Sequence, residues 1–364
     1  MLPIFRQPLA ICGLLLLAGC GGGGDSSSSD SSTSSAPYEG TCGVGTAAYA
    51  LAAGGTTLTS PSFTIGAAQS DHSAFCAMNS GTSITLVTPT ITSSAPSTSA
   101  VNASLYGTDA AVLAYGSSST STSGGAIAVS GGTITTSASY ASGVFASGRG
   151  SGITVSSSAA ITTSGTYAHA VVAAHSGTAT VTNATLTSTA AEVVVLEGAS
   201  TMTLVSSALA STNTTDNRGV YIHANPTGSG ASTLSMTNGN YLWNSASSSD
   251  SAFYVYNQTT TINLTNVTLT TSTARLLTAA GPVGSNVTLN AINQDLTGSV
   301  VIEAGSTVAV KLDASSTWTL TGDSYVNELN VADCSKLIYG GHTLFYKSFA
   351  AGSAICSSPN LQLY

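Results

Sequence analysis

Ile127-Ala128-Val129, Ile153-Thr154-Val155 and Ala179-Thr180-Val181 are three writings of one short pattern within the stretch Ala126 to Ala199. A lone apolar residue follows each of them, Ile134, Ile161 and Leu186 in turn, and then an apolar cluster: Val144-Phe145, Val171-Val172 and Val193-Val194-Val195. Equivalent positions lie 26 residues apart both times. That period is too short for a domain and fits one rung of a stacked array. Within each rung apolar residues alternate with Thr, Ser, Ala or Asn, the period of two expected of strands whose apolar set faces inward. Three short strands per repeat, separated by Gly, Ser and Asn corners, describe a parallel β-helix of three sheets, and no helix-period stretch competes with that reading.

The pattern extends both ways from this block. Ser70-Asp71-His72-Ser73-Ala74-Phe75, with Ile84, Leu86 and Ile91 after it, matches Ser249-Asp250-Ser251-Ala252-Phe253, with Ile262, Leu264 and Leu269 after it. Further rungs fall at Met202-Thr203-Leu204 with Leu209, at Leu234-Ser235-Met236 with Tyr241, and at Val287-Thr288-Leu289. Extra residues, as at Asn225 to Ala231, belong in loops at one corner. About nine rungs at roughly 4.8 Å each give a single elongated domain about 40 Å long.

Of the 364 residues 42% are apolar and only 6% charged, with seven basic residues against fifteen acidic. Disorder requires low hydrophobicity together with high charge, so this chain is expected to fold. An acidic, sparsely charged surface argues against nucleic acid, whose phosphates demand clustered Lys and Arg.

The first residues read as a leader. Arg6 precedes an apolar run from Leu9 to Leu17, followed by small residues at a cleavage point. Leu17-Ala18-Gly19-Cys20 resembles a bacterial lipobox, which implies removal of residues 1–19 and lipidation of Cys20. The run is half the length of a membrane span, so acyl chains would hold the protein on a membrane without crossing it. Gly21 after the cysteine implies, by the same resemblance, the outer membrane. Gly21 to Ser35 is Gly, Ser and Asp with almost nothing to bury, and completes a flexible tether over residues 20–37.

With Cys12 in the leader and Cys20 lipidated, Cys42, Cys76, Cys334 and Cys356 remain. Four cysteines in an exported chain read as disulfides and allow three pairings. Only neighbouring rungs touch in a solenoid, so Cys42 with Cys76 and Cys334 with Cys356 are expected, one pair at each end. No CxxC or HxxxH spacing supports a metal site, and no cofactor is expected.

Near the C-terminus, Val308-Ala309-Val310 and then Trp318-Thr319-Leu320-Thr321-Gly322-Asp323-Ser324-Tyr325-Val326-Asn327-Glu328-Leu329 resemble the last rungs of the β-helical passenger in autotransporter adhesins of the pertactin and AIDA kind. The resemblance implies a right-handed parallel β-helix in a surface adhesin. The chain departs from that family in leaving no room after Tyr364 for the membrane β-barrel, so the lipid on Cys20 would serve as anchor. Residues 38–330 then form the β-helix with its N-terminal cap, and residues 331–364 a disulfide-closed C-terminal cap over the last rung.

Three residues carry the sharpest catalytic suggestion. Asp216, Arg218 and His223 fall within eight positions of the coil Asp216 to His223, and carboxylates with Arg on an exposed sheet serve sugar-cleaving chemistry. Alternation turns Tyr221 and His223 the same way, while Asp216 and Arg218 pair in the preceding corner. Neighbouring rungs offer Ser, Thr and Asn rather than a second acidic cluster. Glu192 and Glu197 bracket Val193 to Leu196, point to opposite faces of an extended strand, and read as solvated edge charges. His169 and His175 read as surface residues. Thr-x-Thr pairs at Thr90 and Thr92, Thr133 and Thr135, Thr185 and Thr187, and Thr268 and Thr270 would stack into hydroxyl ladders, broken at Ala208-Leu209-Ala210 and Asn240-Tyr241-Leu242. Such ladders could bind a repeating surface, but Thr suits an exposed strand by propensity alone.

These readings combine into a lipid-anchored, disulfide-capped β-helix of the outer membrane, exposed at the cell surface, acting as a non-enzymatic adhesin-like or display protein toward a glycan or a host-surface protein. A polysaccharide lyase or hydrolase on the same scaffold, and an inert structural protein of the envelope, are the alternatives.

Overall fold

A computed structural model describes residues 40–116, 124–212, 218–224, 230–243, 250–271, 275–303 and 305–364. The leader, Cys20, the tether and Asp216 lie outside the described residues. The chain divides into two units, Met1–Ala36 and Pro37–Tyr364, and the second holds every described residue.

That unit is a parallel β-helix. Between its two ends successive strands of the chain do not pair with one another; each pairs with the strand one repeat earlier and one repeat later, which produces sheets of eleven, eight and thirteen strands. Among the described residues successive strands pair only at the tips, Gly40–Cys42 antiparallel to Gly45–Leu51 and Leu344–Phe349 parallel to Leu361–Leu363. In the closing rungs a separate three-stranded sheet, Asp295–Thr297, Thr317–Thr319 and Leu337–Ile338, lies beyond the last strand of the eight-stranded one. The 26-residue period sets the register: Ile127 pairs with Ile153 and Ile153 with Ala179, Ile134 with Ile161 and Ile161 with Leu186, Val144 with Val171 and Val171 with Val194. Thirteen strands exceed the nine or so rungs expected, and extend the longest sheet to about 58 Å at the usual strand spacing. The additional ones include Gly55–Thr59, Ser324–Val331, Leu344–Phe349 and Leu361–Leu363, the last two within the segment expected as a cap.

Inward positions form continuous columns. Ile84, Ile127, Ile153, Ala179, Met202, Leu234, Ile262, Leu289, Val310 and Leu329 stack in one line of the thirteen-stranded sheet, all buried. Each fully buried Ile, Leu, Val or Met of the line contributes about 1.5–3 kcal/mol relative to exposure, and Ala179 less. The eight-stranded sheet places a polar column inside as well: Ser93, Thr136, Thr163, Ser188 and Ser211 are aligned and buried. Two of their hydroxyls are consumed locally, since Thr163 Oγ1 and Ser188 Oγ both donate to the Ala168 carbonyl, at 2.7 and 3.2 Å. Thr-x-Thr therefore continues one residue further than its outward pair suggests.

Outward, the same sheet carries Thr64, Thr92, Thr135, Thr162 and Thr187 as one unbroken column, with a second column running Thr90, Thr133, Ala160, Thr185. The series changes character at Ala210 and Leu242 before Thr270.

One corner repeats in nearly every rung. Thr88, Asn183, Ser206, Asn238, Asn266 and Asn293 each adopt a left-handed backbone, with φ between 47° and 54°, between a strand of the longest sheet and one of the eight-stranded sheet or, at Asn293, of the three-stranded sheet that follows it. Asn accepts this conformation most readily among non-glycine residues. The Asn266 amide donates to Asn238 Oδ1 at 2.9 Å, which ties adjacent corners together.

Helix is confined to Ala100–Tyr106 and the single 3-10 turn Cys334–Lys336 among the described residues. The α-helix has no counterpart in the alternation of the sequence. Ser99 caps it by accepting from the Asn102 N–H at 3.2 Å, and Gly107 ends it with φ 66°.

Disulfides join Cys42 to Cys76 and Cys334 to Cys356. Trp318 is fully buried and donates from Nε1 to the Gly298 carbonyl at 3.0 Å, and Asp323 accepts from the Thr343 N–H at 2.9 Å. The Trp and Gly-Asp-Ser segment thus fastens the last rungs to one another.

Candidate functional site

The eleven-stranded sheet is buried on both faces along much of its length. Its inner face packs in the main core. Its outer face builds a second apolar cluster from Cys42, Cys76, Leu113, Phe145, Val172 and Val195, with Tyr115 and Tyr221 at its margin. The excursion around the α-helix roofs part of that face. Ser147 Oγ donates to the Leu105 carbonyl at 3.1 Å, and Tyr106 stacks on His175 with ring centres 5.4 Å apart. Gly107 sits so close to Phe145 that a Cβ there would approach the ring to 2.5 Å. Runs such as Val193-Val194-Val195-Leu196 are near-continuous because both sides of the strand are covered.

Next to this roof the outer face turns polar and aromatic. Glu192 and Glu197 are each 1% exposed, which corrects the expectation of solvated edge charges. The strand spans only Val194–Glu197, so Glu192 lies in the bend before it, and alternation across the pair does not apply. Glu192 Oε1 accepts from Arg218 Nε at 2.7 Å, and Glu192 Oε2 lies 3.5 Å from His169 Nδ1. Glu197 Oε2 lies 3.6 Å from His175 Nε2 and its residue pairs in register with His223. His169 and His175 are therefore half-buried partners of carboxylates rather than surface residues. Arg218 takes its carboxylate from the neighbouring rung, and so the expectation that adjacent rungs offer only Ser, Thr and Asn is corrected too. Of the three suggested catalytic residues, the structure places Arg218 and His223 on one strand, Arg218–His223.

The aromatic side chains complete the patch. Tyr221 and His223 do face the same way, stacked with ring centres 4.5 Å apart. The Arg218 guanidinium lies 4.1 Å above the Tyr221 ring and 5.5 Å from that of Tyr254, a cation held by a carboxylate on one side and two ring faces on another. Burial pushes the Tyr221 hydroxyl well above its ordinary value, partly offset by Arg218, and burial pushes His223 down to about 4. Burial also lowers His175. Chemically, the arrangement sets its carboxylates against a guanidinium and imidazoles of adjacent rungs, and burial disfavours the charged form of His175 and His223. Among the described residues no three His, Cys, Asp or Glu side chains gather to hold a metal ion.

Beneath this strand the core is unusually full. Tyr241 and Trp243 occupy inward positions where the previous rung has Leu209 and Ser211. Gly219 makes the room, since a Cβ there would meet Tyr241 Oη at 1.8 Å. Tyr241 Oη instead donates to the Ala252 carbonyl at 3.0 Å.

A pH dependence follows from two buried groups. Burial chiefly raises Asp109 to about 8, so from about pH 4 to 8 the folded chain holds a proton that the unfolded chain releases, and stability falls as pH rises. His223, lowered to about 4 from 6.5, has the opposite sign: stability rises with pH between those values. The two oppose each other below pH 6.5, whereas only Asp109 acts above it. The melting temperature is expected to fall between pH 6.5 and 8, and Asp109→Asn to flatten that fall and raise stability at pH 8. Thermal melts of both proteins across this range check it, and an unchanged slope in the variant would remove Asp109 as the cause.

Fold and site together define a parallel β-helix with a paired-charge, aromatic patch on the outer face of one sheet. No family model, curated protein or solved structure matches the chain.

Proposed function

We propose that the protein is a lipid-anchored β-helix of the bacterial outer membrane that acts by contact and display at the cell surface, in the manner of an adhesin, and not by catalysis. The observation that carries this reading is the closure of the charged patch. Glu192, the carboxylate best placed for chemistry beside Arg218, is 1% exposed and held by Arg218 and His169, a geometry that fastens adjacent rungs. The Thr columns offer a polar exterior that covers the sheet without converging on a cleft. The anchor reading is supported by Leu17-Ala18-Gly19-Cys20 after its apolar run, and the adhesin reading by the likeness of Trp318 to Leu329 to autotransporter passengers. Among the described residues no helix is long and apolar enough to cross a membrane.

Protease treatment of intact cells, compared with cells whose outer membrane has been permeabilised, tests the proposal. Degradation on intact cells is the expected result. Protection until permeabilisation would sink the adhesin role in favour of an envelope structural protein.

One observation favours an enzyme as second reading: acidic and basic side chains from adjacent rungs, Glu192 and Arg218, do meet, next to Tyr221 and Tyr254. Depolymerisation of a polysaccharide by the purified protein, abolished in Glu192→Gln, would establish that reading.

A further inference from the structure

The last rungs carry a second feature, remote in sequence from the Arg218 patch. A shallow pocket of about 220 Å³ opens between the corner at Glu303 and the outer side of the longest sheet's final strands. Tyr325 and Phe345 pair in register there and stack nearly parallel, with centres 4.8 Å apart and planes 9° from each other. Tyr364 stands edge-on to both, at 86° and 87°. Tyr325 is 38% exposed and Tyr364 47%. Only 6% of the chain is aromatic, so three rings gathered outside the core are a concentration that packing does not require. Polar groups share the pocket: Glu303, Asn327 and Lys347 line it, and Lys347 Nζ lies 5.1 Å from the Tyr364 ring centre.

A ligand for this pocket needs an apolar face for the rings and hydrogen-bonding groups at its edge for the carboxylate, amide and ammonium. A wholly apolar ligand would strip water from Glu303 and Lys347 without replacing it. An anion would meet Glu303, and a cation Lys347, so the two charges together favour a neutral polyol. The volume lies below that of drug-sized sites, about 300 Å³ and upward, and suits a single ring. We propose that this pocket binds an uncharged pyranose residue of a polysaccharide. The inference gives the contact role proposed above its ligand class and rests on that reading for its biological setting, while its chemistry stands on the pocket alone.

The test titrates the full-length protein with cellotetraose and chitotetraose, with tetragalacturonate as the charged comparator, and follows binding by saturation-transfer NMR and calorimetry. Binding of at least one neutral tetrasaccharide is expected. Tyr325→Ala should weaken it about tenfold, the scale of one lost aromatic contact, and Glu303→Gln severalfold. Tyr325 is exposed, so melting should not change; if it does, Glu303→Gln decides. Absence of binding to both neutral sugars, equal affinity in the deciding variant, or tighter binding of tetragalacturonate would each overturn the proposal. Its failure is separable from that of the surface role: a protein protected on intact cells that still binds the neutral sugar loses the adhesin reading and keeps the pocket.

Discussion

Arg218→Met is expected to destabilise the protein by about 3 kcal/mol, the lower end of the range for removing one partner of a buried ion pair. The lower end applies because the Arg218 side chain keeps 24% of its exposure and His169 remains beside Glu192. The loss arises from the partner left behind, since Glu192 is 1% exposed and cannot recover by hydration. The double variant Glu192→Leu/Arg218→Met removes both charges and should recover most of the stability, because an apolar pair of similar volume often equals or exceeds a buried salt bridge. Urea midpoints for wild type, single and double variants measure this, with m-values compared because a stacked array need not unfold in two states. A single-variant loss below about 1 kcal/mol, the worth of an exposed pair, would show that the Glu192 contact does not fasten the rungs.

Trp243→Ala should cost about 4 kcal/mol, as large-to-small changes at fully buried aromatic positions do. Trp243 is fully buried beside Tyr241 and takes the inward position that Ser211 holds one rung earlier. Gly219 leaves the facing strand without a side chain, its hypothetical Cβ lying 3.0 Å from Trp243 Cγ. Gly219 therefore offers no side chain to close the void from that strand. Because Gly219 separates Arg218 from Val220, the cavity should also loosen the Arg218 patch, and the intrinsic fluorescence of Tyr and Trp should report both changes. Trp243→Phe, which refills part of the space, should lose less than half as much. A loss below about 2 kcal/mol for the alanine variant would mean that the rung collapses around the gap.

The β-helix was legible because the period of 26 and the period of two are both written in apolar residues, which tolerate no other register. The two disulfides were legible because only neighbouring rungs of a stack touch and the four cysteines fall in two groups at its opposite ends. The patch was not read, although its signal was present: adding the repeat period to Glu192 lands on Arg218, and adding it to Glu197 lands on His223, the pairs that the structure brings together. Reading Glu192 and Glu197 along one strand hid them, since the partners in a solenoid are one full turn apart rather than along the strand. The buried hydroxyls of Thr163 and Ser188 were missed because a polar side chain at an inward position looks like an outward one until the carbonyl it bonds is known. The α-helix at Ala100–Tyr106 carries no amphipathic period long enough to announce itself, and its placement depends on a roof contact with Phe145 and His175 that no local pattern encodes.

The two disulfides close near opposite ends of the array, Cys42 with Cys76 and Cys334 with Cys356. In a stack whose units touch only their neighbours, the terminal units have one partner instead of two and are where peeling begins. Stapling closes both tips up to the short strand Leu361–Leu363 beyond Cys356, so deeper opening must nucleate at an interior rung flanked by intact neighbours on both sides. The consequence is persistence governed by a rate: under oxidising conditions the fold should outlast what its equilibrium stability alone would grant, and a reductant should convert slow, interior rupture into fast unravelling from the tips.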